Sequence, residues 1–304
     1  MNGKRPSVHY KKVWARVGIL MALPAILSVV IFVFTPLFMN IGYSLTDYSV
    51  SSTVPRFIGL ANFKNIINDM NFKLIMTNTI KLALLYVLGL NTLAILVSVL
   101  IVQVGKKLGN FVKSVLYFPC LLAMVVVGFI WRILFNYTNG IINKALMLIG
   151  VPENLIPEWL GDPKMIIYSI GITIIWYALG YYVVIYYAGL MSIPVELYEV
   201  SNIEGANKWQ EFLYVTLPLL APSITINVVL TSMAIIGSFD LPYTLTNGGG
   251  PGKFGTTLPV WIYQTYFHDY QYGKAIAQAA MLTGVAVIIA AIELKILLKR
   301  EVRT

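Results

Sequence analysis

The 304 residues include only one cysteine and two histidines, and the charged fraction is only 12%. A lone Cys120 in an apolar run forms no disulfide within the chain and supplies no thiolate metal set, so it reads as a small core filler. His9 and His268 are too few to make a triad or a metal centre. An average soluble domain carries about 25% charged residues. The shortfall here, beside a hydrophobic fraction of 58%, makes a bilayer the solvent. A net charge of +9 would suit a nucleic-acid binder, but the basic residues gather at the ends of apolar runs instead of forming a face.

Six apolar runs are present, at about 17–38, 76–104, 114–135, 165–191, 217–243 and 275–298. Each is near or above the roughly 20 residues that span hydrocarbon. The first exceeds the roughly 7–15 residues of a signal-peptide core and is followed by no small-x-small cleavage site, so it is read as a retained span. The chain is therefore expected to be an all-α, multi-pass membrane protein with a basic tail at 1–16, six transmembrane helices and a short tail at 299–304. Thirteen of the 22 lysines and arginines fall in the tails, in the loops after the second and fourth runs and, as Lys295, at the inner end of the last run. The positive-inside rule puts these segments, and both termini, in the cytoplasm.

The loop at 192–216 breaks that charge pattern, since Glu196, Glu199, Glu204 and Glu211 face only Lys208. Pro194 suits a first helical turn, Gly205 a helix end in the left-handed region, and Asn207 with Gln210 a capping box opening a second helix. Trp209, Phe212, Leu213 and Val215 fall near one face of that second helix, which wants an apolar groove or surface. Glu199-Val-Ser, three residues, Gly205, nine residues, then Val215-Thr-Leu-Pro218 resembles the Glu-Ala-Ala…Gly…Ile-x-Leu-Pro loop of binding-protein-dependent ABC importer permeases. Val200, Ser201 and Val215 depart from that pattern conservatively. Gly59-Leu-Ala-Asn-Phe63 matches a second segment of the family.

That resemblance implies the type I ABC importer permease fold and a loop that docks into a cytoplasmic ATPase. The coupling residues it implies are Glu196, Glu199, Val200, Ser201, Gly205, Ala206, Leu217 and Pro218. It also implies a second permease subunit, two ATPase subunits and an extracytoplasmic solute-binding protein, in a bacterial or archaeal cell membrane. This chain would bind no cofactor or metal, ATP and Mg²⁺ belonging to the ATPase. Gly248 to Lys253 fails as a phosphate loop, because Asn247 stands where its first glycine belongs and Phe254 where Ser or Thr follows the lysine. The same stretch, with Asp240, Thr246 and Thr256, is similar to the Thr-x-Gly-Gly-Pro segment of sugar and glycerol-phosphate permeases.

On the fifth run Ser223, Asn227, Thr231 and Ser238 share a helical face, which makes either a substrate-facing stripe or a helix contact. The fourth adds Trp176, Tyr177, Tyr181, Tyr182, Tyr186 and Tyr187, and aromatic faces suit a sugar. The substrate path is accordingly assigned to Tyr177, Tyr181, Asn227, Thr231, Ser238 and Asp240. Lys81 reads as a snorkelling lysine and Glu293 with Lys295 as an interfacial pair. The expected function is uptake of a sugar or oligosaccharide by alternating access. An importer of glycerol phosphate, peptide or amino acid is the alternative within the class; a stand-alone channel or secondary carrier is the one outside it.

Overall fold

The computed structural model describes the backbone at residues 8–50 and 54–297, and side chains at 17–50 and 54–296. The basic side chains of the N-terminal tail and the tail at 299–304 lie outside the described residues. Among those residues the chain forms helices and no strand, with one isolated bridge between Thr46 and Phe57. Helices satisfy backbone hydrogen bonds within a single segment, as hydrocarbon requires.

Helix α1 (Val8–Val29) passes through a π turn at Val30–Phe34 into α2 (Thr35–Ser44). Pro36 has no N–H to continue the ladder, so the turn widens and Thr35 donates both its N–H and its hydroxyl to the Val30 carbonyl. Then follow α3 (Ala61–Ile67), α4 (Phe72–Gln103), α5 (Lys106–Tyr117), a 3₁₀ turn at Phe118–Leu121, α6 (Met124–Leu134), α7 (Ile141–Leu148) and α8 (Ile166–Met191). Beyond it lie α9 (Val195–Ile203), α10 (Lys208–Glu211), a π turn at Phe212–Thr216, α11 (Leu217–Leu219), α12 (Ala221–Ile236), α13 (Asp240–Thr246), α14 (Leu258–Phe267) and α15 (Tyr272–Leu297).

Four segments are long and apolar enough to cross a membrane unaided: Val17–Ser44, Phe72–Gln103, Ile166–Met191 and Tyr272–Ile296. Two bent pairs complete six, Lys106–Leu121 with Met124–Leu134 at 100° and Lys208–Leu219 with Ala221–Ile236 at 68°. The runs at 114–135 and 217–243 are thus broken helices where the sequence suggests straight ones. Pro119, Pro218 and Pro222 each remove a donor near a break. At the first break Leu122 and Ala123 are extended, and the Tyr177 hydroxyl approaches the freed carbonyls of Leu122 at 3.2 Å and Cys120 at 3.3 Å. A broken helix persists in a membrane when a neighbour satisfies its carbonyls in this way.

The core lies along α4 and α8, which pack side by side over much of their length. Ile75, Asn78, Leu82, Tyr86, Leu90, Ala94, Ser98 and Ile101 form one buried stripe at spacings of three and four, while Leu84, Leu88, Leu96 and Leu100 face outward. Gly180 lets α8 touch the backbone of α5, since a Cβ there would overlap the Leu116 carbonyl and the Tyr117 nitrogen. Ser98 donates to the Val183 carbonyl at 3.0 Å between the same two spans, α4 and α8. Away from α9 and α10, Lys274 at the start of α15 pairs with Asp69 at 2.7 Å, and the Asn78 amide donates to the Phe254 and Thr256 carbonyls of the glycine-rich loop.

Candidate functional site: a helical loop and a tyrosine-walled cavity

Residues 194–218 form a helix, a glycine turn and a second helix. Pro194 sits at the N-cap of α9, one residue before the first turn. Gly205 has φ of +79°, and around it the Gly205 and Ala206 N–H groups bond the Asn202 and Ser201 carbonyls, which terminates α9. Asn207 and Gln210 exchange two bonds of 2.9 Å, the capping box that opens α10. The Tyr198 hydroxyl lies 3.3 Å from that of Thr216 and joins the two arms. Trp209 stacks on Phe212 with ring centroids 5.8 Å apart, yet stays 66% exposed.

The acidic groups divide in two. Glu211 pairs with Lys208 at 3.0 Å, whereas Glu196, Glu199 and Glu204 are exposed with no ion-pair partner among the described residues. Val200 is exposed beside Glu199, and Ser201 is buried with its hydroxyl on the Tyr198 carbonyl. Ala206 and Leu217 are half-buried and Pro218 is exposed. The loop is therefore a locally fixed, acidic knob with an apolar flank of Leu197, Val200, Ile203 and Trp209.

Inside the helical body is a cavity of about 180 Å³, walled by Tyr86, Cys120, Met124, Tyr177, Tyr181, Tyr182, Ile235 and Ser238 among others. The break after Leu121 opens this space, and Cys120 lines it where the sequence suggests buried filler. Of the residues assigned to the substrate path, Tyr177, Tyr181 and Ser238 meet here. Tyr86 and Met124 were not legible as members, since nothing local marks which α4 side chain faces a break elsewhere.

Asn227 and Thr231 do not reach the cavity. Both are fully buried, and Thr231 accepts a 3.0 Å bond from the Asn91 amide, whose oxygen takes a 2.6 Å bond from the Tyr186 hydroxyl. The Asn227 amide lies beside Tyr186 without closing a bond of ordinary length. Ser223 abuts Gly189 of α8. Three of the four residues on the stripe thus join helices α4, α8 and α12. Asp240 is exposed at the start of α13, outside the cavity, and Lys81 is exposed on α4. Glu293 does not pair with Lys295; it accepts a 2.5 Å bond from Ser232 of α12.

The family described as binding-protein-dependent transport system inner membrane component matches residues 91–301. The chain is 32% identical over 281 residues to the probable starch degradation products transport system permease protein AmyD of Thermoanaerobacterium thermosulfurigenes, covering 92% of this chain and 93% of that one. It is 30% identical over 265 residues to the trehalose/maltose transport system permease protein MalF of Thermococcus litoralis, covering 86% and 88%. A solved bacterial ABC transporter involved in import of the acidic polysaccharide alginate matches with a TM-score of 0.80 at 24% identity, over 95% of this chain and 96% of that one. At that identity the likeness speaks for the fold.

Proposed function

The chain belongs to the family of binding-protein-dependent transport system inner membrane components, and on that premise we propose that it forms half of the pore of an ATP-driven sugar importer. It is a multi-pass permease and not an enzyme. The observation that carries the coupling role is the knob at 194–218, fixed by its own hydrogen bonds and bearing three carboxylates that have no ion-pair partner among the described residues. A basic cleft on an ATPase subunit is the complement of such a surface. With the knob and both termini in the cytoplasm, Glu196, Glu199, Val200, Gly205 and Ala206 meet the ATPase. Ser201, Leu217 and Pro218 hold the knob on its helices.

Relatives named for starch degradation products and for trehalose and maltose support a carbohydrate substrate. The cavity suits one, because pyranose C–H faces stack on tyrosine rings while sugar hydroxyls find Ser238. A second permease completes the pore, and two ATPase subunits drive it. An extracytoplasmic binding protein delivers the sugar. Closure of the ATPases around ATP moves the knobs, and the permeases rock between outward- and inward-open states.

The test is reconstitution of this chain with a partner permease, the ATPase and the binding protein in liposomes. ATP-dependent accumulation of labelled malto- or other oligosaccharides is expected only when all components are present. Uptake of sugar without ATP would overturn the reading in favour of a carrier.

A further inference from the structure

Below the cavity, towards the knob, a second and wider hollow of about 670 Å³ is walled by Asn110, Lys113, Tyr117, Leu121, Val184 and Tyr187, with Ser114 between them. The two hollows are lined by neighbouring residues of the same stretches, Cys120 in the first and Leu121 in the second, Tyr181 in the first and Val184 in the second. Tyr177, Tyr181, Val184 and Tyr187 follow one face of α8; opposite them Met124 and Cys120 line the first hollow at the break, and Leu121, Tyr117, Ser114 and Asn110 line the second along the 3₁₀ turn and α5. The other face of α5 has a different character. Leu108, Phe111, Val115 and Phe118 lie opposite and are all more than half exposed, the pattern of a surface turned to lipid tails or to an apolar partner. Asn110, Lys113, Ser114 and two tyrosines thus line the hollow beside Leu121 and Val184, whereas the other side carries apolar groups alone. At its floor the Lys113 ammonium sits 3.7 Å from the centre of the Tyr187 ring and covers that ring's face.

Resting on the importer reading above, we propose that this groove between α5 and α8 is the inner half of the substrate passage, with Lys113 as a movable stopper over its last aromatic platform. A cation and a sugar ring compete for the same tyrosine face. The sugar gains Tyr187 when Lys113 swings into the wide hollow, and the passage closes when the ammonium returns.

Cys120 is the single cysteine of the chain, so its replacement by serine clears the background for thiol mapping. Ser114→Cys in the groove and Val115→Cys on the opposite face are each introduced with Cys120→Ser. The complete complex meets a charged, membrane-impermeant methanethiosulfonate in inside-out vesicles, and sugar uptake is then read after reconstitution into vesicles with ATP inside and binding protein outside. Ser114→Cys is expected to react at least tenfold faster than Val115→Cys, and its modification to block ATP-driven sugar uptake. Adding Lys113→Met is expected to raise the Ser114→Cys rate several-fold. Equal rates at the two positions would overturn the passage, and an unchanged rate with Lys113→Met would overturn the stopper. Either failure in vesicles that still accumulate sugar leaves the importer reading standing. Absence of ATP-driven uptake in the unsubstituted complex would remove that reading itself.

Discussion

The knob at 194–218 and the cavity wall around Tyr177 are held together by opposite means. In the knob the deciding bonds close within a few residues, from Ala206 to Ser201 and between Asn207 and Gln210, and Glu196, Glu199 and Glu204 stand exposed with no ion-pair partner among the described residues. In the cavity wall the Tyr177 hydroxyl reaches a carbonyl 55 residues away, and four spans must meet before any space exists. A surface charge on the first can change without loss of shape. An interior atom of the second cannot move without moving helices, so substitutions separate docking from folding only in the knob.

The contrast breaks most visibly at Gly180. Valine there would drive its Cβ into the Leu116 carbonyl and the Tyr117 nitrogen, which are backbone and cannot swing aside. The cost is expected at the top of the usual overpacking range, about 3 kcal/mol. Membrane abundance and thermal stability of Gly180→Val are expected to fall together, and a normal melting temperature would refute the close contact of α5 and α8.

A smaller effect is expected at the polar contact of α4, α8 and α12. Asn91→Leu strips the Tyr186 hydroxyl and Thr231 of their shared partner, a loss of about 1–2 kcal/mol. Asn227→Leu, which removes an amide that closes no ordinary bond, is expected to stay near neutral in both stability and sugar uptake. Melting curves of the two detergent-purified variants check the order, and a larger loss for Asn227→Leu would show that its amide bonds the Tyr186 hydroxyl after all.

The least effect on the folded body is expected for Asn207→Ala, which opens the capping box of α10 at a cost of about 1 kcal/mol confined to the knob. Global melting is expected to be unchanged while proteolysis near 207 quickens. A drop in global stability would show that the knob is not locally held.

Legibility in the sequence follows the same division. Gly205, Asn207 and Gln210 announce their roles because each acts on backbone within one turn of itself, and the long spans show through composition. The face shared by Ser223, Asn227 and Thr231 was legible as a face, but periodicity does not say which neighbour covers it, and α4 and α8 do so in place of a cavity. The break beside Pro119 was legible only as a proline inside an apolar run. That it opens a space for Tyr86, Cys120 and Met124 depends on Tyr177 arriving to cap the freed carbonyls. Glu293 likewise finds Ser232 across helices, where a sequence neighbour, Lys295, looked the nearer partner.

On the proposed function, the carboxylates of Glu196, Glu199 and Glu204, Glu199 foremost, join this permease to its ATPase. The most direct test is co-purification of the ATPase with Glu199→Lys, measured beside membrane abundance of the permease. Abundance at the unsubstituted level with ATPase recovery and sugar uptake both lost is the predicted result, since reversing one charge at a partly desolvated contact can cost several kcal/mol. Retained ATPase binding with retained uptake would contradict the account.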